Sequence, residues 1–367
     1  MASIRKVSRL AEQGRARHAW EVRYRSPEGA SRQRTFLRKT EAQRFAATVE
    51  VDKAEGRYVD PRAGRVTFGE WAARWQETTV NLKPTTQAAH ESLLRSVILP
   101  TFGHCQLSRI KPIDLSEWVA GLSETGLSAS RIRNAYFTLS GIFKAATQSG
   151  LIARSPCIGV KLPKPARRDM TCLSASQVSA VANEVPERYQ ALIYLLAYGG
   201  LRWGEAVALR RGRVNLLRAR VEVKEAAPEV NGALHFGEPK TFEHRSVALP
   251  SFLRDLLAGH LGAFTADDPR ALVFTSPEGD PLRSPNFRRR VWFPALKAAG
   301  LPASVRIHDL RHTAASLLIA QGAHAKVVQA HLGHASIVVT MHRYGHLNPR
   351  AFDDMTAKLD AAYAALP

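Results

Sequence analysis

Between Ile152 and Met170 the chain reads IARSPCIGVKLPKPARRDM, with Pro156, Pro163 and Pro165 set among Lys161, Lys164, Arg167 and Arg168. Proline fixes φ and lacks a backbone donor, so this stretch cannot run through the middle of a helix or a central strand. Before it, from Thr67 to Gln148, apolar residues recur at helical spacing. After it, from Leu173, helical and strand patterns alternate. A chain of 367 residues with such a break builds more than one core. The expected fold is multi-domain, mainly α with small antiparallel sheets.

The helical half is the easier to divide. Thr67-x-x-Glu70 has the spacing of a capping box and opens a helix with Phe68, Trp71 and Trp75 on one face. Further helices are expected over Thr85 to Ile98, Asp114 to Leu122 and Ser128 to Gln148, the last carrying Ile132, Ala135, Leu139, Ile142 and Phe143 at helical spacing. Ahead of them, His18 to Arg25 alternates Trp20, Val22 and Tyr24 with polar residues, turns at Pro27 to Gly29 and resumes over Arg34 to Leu37. That pattern predicts an antiparallel hairpin. A helix from Thr40, read as a second capping box with Gln43, to about Gly56 should follow it. Tyr58 to Arg65 reads as a linker. Beyond the proline-rich strap, helices are expected at Ala175 to Asn183 and Arg188 to Tyr198, and strands at Val221 to Val223 and Ser246 to Leu249. The tail, Ala351 to Pro367, places Phe352, Met355, Leu359 and Tyr363 on one stripe.

Charge narrows the partners. Lys and Arg number 52 against 32 Asp and Glu, for a net charge of +20 and a pI near 10.4. Such a surface favours a polyanion, nucleic acid before a membrane. The first 65 residues hold 16 Lys and Arg against 8 Asp and Glu, so the front is disproportionately basic. Cys105, Cys157 and Cys172 form no CxxC pair, which argues against a disulfide framework and a Cys-ligated zinc and fits a reducing compartment. The longest strongly apolar run, Ala191 to Ala197, is too short to cross a bilayer, and the N-terminus carries no signal pattern. A soluble, unprocessed protein is expected.

The chemistry concentrates in VRIHDLRHTAASLLIAQGAHAKVVQAHLGHASIVVTMHRYGHL, Val305 to Leu347. His308 and Arg311 lie three residues apart, His334 closes an LGH turn, and Tyr344 follows ten residues later on an expected helix. A phosphodiester under attack needs cations on its oxygens and a nucleophile that will hold the phosphate afterwards. Upstream, YGGLRWGEAVALR supplies Arg202 with Glu205, and EPKTFEHRSVALP supplies Lys240.

In these residues the chain resembles the tyrosine recombinase (phage integrase) family, whose pattern runs Arg, Lys, His-x-x-Arg, His, Tyr. All six positions are filled in order. The resemblance implies Tyr344 as nucleophile, Arg202 and Arg311 on the non-bridging oxygens of the scissile phosphate, and Lys240 as acid for the leaving oxygen. His308 and His334 would complete the transition-state cage. Lys224, a strand away, is the alternative acid. Glu205 is expected to orient Arg202 or cap its helix, and Asp309 to act as a cap or a partner for Arg311. The resemblance further implies an arm-type DNA-binding module of hairpin and helix over 1–57, a linker over 58–65, and a helical SAM-like core-binding domain over 66–151. A basic linker over 152–170, a mixed α+β catalytic domain over 171–350 and a tail helix over 351–367 complete the layout; the resemblance implies that the tail docks on a neighbouring protomer, and a helix folded back on its own domain is the alternative.

The implied function is site-specific recombination of duplex DNA through a 3′-phosphotyrosyl link, integrating or excising a phage or mobile element, without cofactor or metal. Partners would be double-stranded attachment sites and three further copies in a tetramer, with a DNA-bending host factor and an excision factor as further candidates. No membrane is involved, and the location would be cytoplasmic, at the nucleoid. Three rival readings share the fold or the chemistry: a chromosome-dimer resolving recombinase, a type IB topoisomerase, and a DNA-binding protein that no longer cuts. A fourth is a metal hydrolase, because His308 and His312 at i and i+4 could present two zinc ligands. Asp309 stands where a zincin helix has Glu, and Arg311 would put a positive charge beside the metal.

Overall fold

The computed structural model describes residues 2–10, 16–27, 29–56, 58–60, 62–166, 170–238, 244–338, 341 and 356. Contacts divide the chain into two compact units, Met1–Arg167 and Arg168–Pro367.

The first unit opens with a three-stranded antiparallel sheet, β1 (Ser3–Leu10), β2 (Ala16–Arg25) and β3 (Ser31–Phe36), paired from Ser3 opposite Arg23 and from Trp20 opposite Phe36. The expected hairpin is β2 and β3. Strand β1 went unread because its Arg and Lys break the alternation around Ile4 and Val7. Helix α1 (Lys39–Ala54) covers one face, closing a small core of Val22, Tyr24, Ala42, Ala46 and Val49. Glu21, on the other face of β2, accepts from Arg5 and Arg23 at 2.8 and 2.6 Å. One expectation fails here: α1 starts at Lys39 with Arg38 as its extended N-cap and no side-chain cap, so Thr40 lies inside the helix and makes no capping box. Tyr58 and Asp60 belong to this module, Tyr58 packing edge-on to Tyr24 and Asp60 pairing with Arg32.

A helical bundle follows: α2 (Phe68–Thr78), α3 (Pro84–Leu93), α4 (Leu99–Phe102), α5 (Pro112–Glu124) and α6 (Ala129–Gln148). The expected helix over Thr85 to Ile98 runs on, since a π turn at Leu94–Ile98 joins α3 to α4. The Thr67 box is real in both halves, with Glu70 N–H donating to Thr67 Oγ1 at 3.2 Å and Thr67 N–H to Glu70 Oε2 at 2.9 Å. All five residues predicted for the α6 stripe are buried, and Phe143 meets Phe68 at 5.4 Å between ring centroids. The first part of the proline-rich strap docks on this bundle, where Tyr136 donates its hydroxyl to Cys157 O at 2.8 Å and Leu162 packs on the core.

The second unit builds its core on α7 (Ala175–Glu184) and α8 (Glu187–Tyr198). After α9 (Trp203–Val207) comes a three-stranded sheet, β4 (Val214–Asn215), β5 (Arg220–Val223) and β8 (Arg245–Ala248), in the order β4-β5-β8. Between β5 and β8 a short hairpin, β6 (Glu229–Val230) and β7 (Ala233–Leu234), turns at Asn231 and Gly232, both with positive φ as a tight hairpin requires. Helices α10 (Ser251–Phe264), α11 (Ser284–Phe287), α12 (Phe293–Ala298), α13 (Ile307–Ala320) and α14 (Ala325–Leu332) complete it. Helix α13 packs along α8 and against α14, where Ala314, Ala315, Val328 and Leu332 form a buried cluster. Among the described residues no helix is long and apolar enough to cross a membrane.

Candidate active site

Where α8 ends, Gly199 caps the helix and Gly200 turns the chain at φ +64°. A Cβ on Gly200 would lie 2.6 Å from Leu332 Cδ2 and 3.2 Å from Ala314 Cβ, so only glycine lets this turn press onto α13 and α14. Arg202 follows in extended conformation as the N-cap of α9. Glu205 accepts from its backbone N–H at 2.8 Å and from its Nη1 at 2.7 Å. Both roles expected of Glu205, orienting Arg202 and capping its helix, are therefore present together.

Glu205 is only 2% exposed, and a carboxylate that deep must be paired. Its second partner is Arg245, the first residue of β8, whose Nη2 and Nη1 reach Oε2 and Oε1 at 2.7 and 3.1 Å. Burial pushes the Glu205 carboxyl up, but the hydrogen bonds and charge of Arg245, joined by the charge and backbone N–H of Arg202, outweigh it and hold the group at about 2. Sequence reasoning missed Arg245. Its sole signal was an arginine at a strand start five residues after Lys240, which in so basic a chain looks like any surface cation.

On α13, Asp309 caps the helix by accepting from Arg306 N–H at 2.7 Å and pairs with Arg306 Nη2 at 2.6 Å. Its role as a cap holds, and the arginine it pairs with there is Arg306. Arg311, 3% exposed, donates Nη1 to Gly200 O and Nη2 to Leu332 O, each at 2.6 Å. His308 is exposed, His312 is buried, and their rings meet edge-on at 5.1 Å. No group of three or more His, Cys, Asp and Glu suited to a metal occurs among the described residues.

Helix α14 ends on Gly333 in the left-handed conformation, φ +65°. The three carbonyls at this end each accept from a different arginine: His331 O from Arg245 Nε at 3.1 Å, Leu332 O from Arg311 Nη2 at 2.6 Å, and Gly333 O from Arg202 Nη2 at 3.3 Å. A helix C-terminus leaves its last carbonyls unpaired and carries the negative end of the dipole, so it is suited to hold cations. His334 follows directly, buried, its N–H on Gln329 O at 3.1 Å and its carbonyl taking Gln329 Nε2 at 3.0 Å. His331 donates Nε2–H to Tyr198 O at 3.1 Å, and burial lowers its pKa. The structure thus gathers Arg202, Arg311 and the turn bearing His334 at one row of carbonyls, with His308 one turn ahead of Arg311 on α13. Lys240, Tyr344 and the tail stripe of Phe352, Met355, Leu359 and Tyr363 lie outside the described residues. Lys224 pairs with Glu222 at 2.9 Å.

Residues 171–350 match the model of the phage integrase family, and residues 67–123 that of the phage integrase N-terminal SAM-like domain. The chain belongs to the phage integrase family. An integrase of Mycobacterium phage D29 is 28% identical to this recombinase over 279 residues, 75% of this chain and 73% of its own. Among solved structures, the Tn1549 transposon integrase in complex with transposon right end DNA superimposes with a TM-score of 0.69 at 21% identity, covering 81% of this chain and 99% of that one. A lambda integrase tetramer bound to a Holliday junction gives 0.60 at 18% identity over 90% of this chain and 95% of that one. These two establish the shared fold: a SAM-like helical domain, and a catalytic domain of helices with small antiparallel sheets.

Proposed function

We propose that this recombinase cuts and rejoins duplex DNA at attachment sites of a phage or mobile element, with Tyr344 as nucleophile and Arg202, Lys240, His308, Arg311 and His334 around the scissile phosphate. The observation that carries the reading is the row of carbonyls at the end of α14, which fixes Arg202 and Arg311 beside the turn of His334. Two planar guanidiniums so held are preorganised for a phosphate whose charge grows in the transition state. In the step itself, Tyr344 Oη forms a bond to phosphorus as the bond to the 5′ oxygen breaks. The phenolic proton passes to solvent water, the leaving oxygen takes one from the Lys240 ammonium, and the 3′-phosphotyrosyl ester keeps the energy needed for religation. The double-stranded substrate and a tetrameric assembly are supported by the lambda and Tn1549 complexes, and the strongly basic front by its suitability for a second, arm-type contact.

Lys224 pairs with Glu222, both side chains half-exposed, and stays the alternative acid. Lys240→Ala should cleave ordinary DNA poorly and recover on a 5′-bridging phosphorothiolate, whose thiolate leaves without a proton. The readout is the protein–DNA adduct on a denaturing gel with a nicked duplex from the element's ends. Recovery by a Lys224 variant instead would transfer the role, and wild-type protein that forms no adduct on any such duplex would remove the cleavage reading altogether.

A further inference from the structure

We propose that Arg245 is a positioning residue for strand cleavage: it occupies Glu205 and the His331 carbonyl so that Arg202 presents its guanidinium to the scissile phosphate and does not close onto Glu205. The inference rests on the recombination reading above and names a residue outside its six-part pattern.

Arg245 is the most enclosed cation in direct contact with Glu205, its side chain 7% exposed against 26% for Arg202. Its fork takes both carboxylate oxygens, at 2.7 and 3.1 Å, whereas Arg202 takes one with a single side-chain bond at 2.7 Å. The division has a physical consequence. A buried carboxylate attracts whatever cation can reach it, and with Arg245 in place most of that demand is met from the protein side. Arg202 is then held by one edge, and its Nη2 makes only a 3.3 Å bond to Gly333 O, so the more exposed arginine is oriented without being consumed. The pocket for Arg245 is built for it. A Cβ on Gly333 would lie 2.8 to 3.1 Å from Arg245 Cδ, Nε and Nη1, and Gly333 already needs glycine for its φ of +65°. Without Arg245, Glu205 has Arg202 as its one cationic partner among the described residues, and the more exposed of the two guanidiniums turns inward. Lysine cannot stand in, because one ammonium cannot bridge two carboxylate oxygens and a carbonyl in that planar arrangement. Arg245 also opens β8, the strand that follows the segment bearing Lys240, so one side chain ties the Arg202 corner to that strand.

The test uses the full chain on a nicked duplex whose scissile group is either a phosphodiester or a methylphosphonate, which lacks the negative charge the arginines neutralise. Arg245→Lys and Arg245→Ala should each slow adduct formation on the phosphodiester by about 100-fold, the order expected when a transition-state donor is misplaced by an ångström. On the methylphosphonate the defect should shrink, as it should for Arg202→Ala, and the double variant Arg202→Ala/Arg245→Ala should be no slower than Arg202→Ala alone. Equal defects on both substrates, or additive losses in the double variant, would overturn the proposal in favour of a purely structural ion pair. The variant Glu205→Gln/Arg245→Met, which removes both members of the buried pair, separates folding from positioning: it should melt close to wild type and cleave faster than Arg245→Met alone, because no carboxylate is left to draw Arg202 inward, and a double variant as slow as Arg245→Met would contradict the role. If wild type forms no adduct, the recombination reading fails on its own terms. Arg202 is then followed by guanidinium NMR in the free protein, where Arg245→Lys should slow rotation about its Nε–Cζ bond as it grips Glu205 with two bonds; unchanged rotation would reject the positioning claim.

Discussion

Arg202, Arg311 and Arg245 are tied to successive carbonyls of one helix end, and the first two were marked in the sequence while the third was not. The difference is physical. Arg202 and the His308–Arg311 pair sit in local patterns of glycine, helix start and fixed spacing, which a linear reading can find. Arg245 meets Glu205 across 40 positions of sequence and Gly333 across 88, contacts that no local pattern announces. Their carboxylate anchor gives a prediction in pH. Glu205 has a folded-state value held at about 2, below its ordinary 4.5, so it contributes stability that is present above 4.5 and lost as pH falls from 4.5 towards 2. In thermal melts, wild type should exceed Glu205→Gln by a margin that is constant above pH 5 and narrows steadily below 4.5. A margin independent of pH would mean that the carboxylate is not charged in the folded protein.

At the scale of elements, two capping boxes were read from the same spacing and only one exists. Thr67 precedes Phe68, a fully buried anchor that fixes where α2 must begin, and its side chain and that of Glu70 close on each other. Thr40 has no such anchor, and α1 starts one residue earlier because Ala42, Ala46 and Val49 set the face that packs on the sheet. Thr67→Ala should therefore cost about 1 kcal/mol, as loss of an N-cap does, while Thr40→Ala should be near neutral. Chemical denaturation of the full chain checks both, and equal effects would contradict the assignment. Helix α6 was legible in full because a long stripe of apolar residues admits one period, whereas β1 was hidden by its basic side chains. Helix α10 was passed over although Leu253, Leu257 and Leu261 recur at helical spacing.

For the molecule as a whole, the break at the proline-rich strap was readable because proline chemistry is local, and the chain divides at Arg167 and Arg168 within it. What spacing could not tell is that much of the strap and of the stretch around Tyr58 would be packed, Leu162 on the helical bundle and Tyr58 on the front sheet. The basic front module is proposed to hold a second DNA site while the catalytic unit holds the crossover site, and two tethered contacts gain affinity through effective concentration. Deleting Met1 to Arg65 should preserve cleavage of short core duplexes and sharply reduce recombination of full attachment sites. The salt dependence of full-site binding should flatten at the same time, because fewer phosphates are neutralised. Normal recombination by the truncated protein would remove the arm-type assignment.

Covalent joining of DNA to Tyr344 is the step on which the proposed recombination rests. A nicked suicide duplex traps the cleaved state, and protease digestion followed by mass spectrometry of the adduct locates the phosphate on the chain. A 3′-phosphate ester is expected on the peptide containing Tyr344, and no adduct from Tyr344→Phe although that variant binds the duplex as wild type does. An adduct that persists in Tyr344→Phe, or maps to another residue, would contradict it.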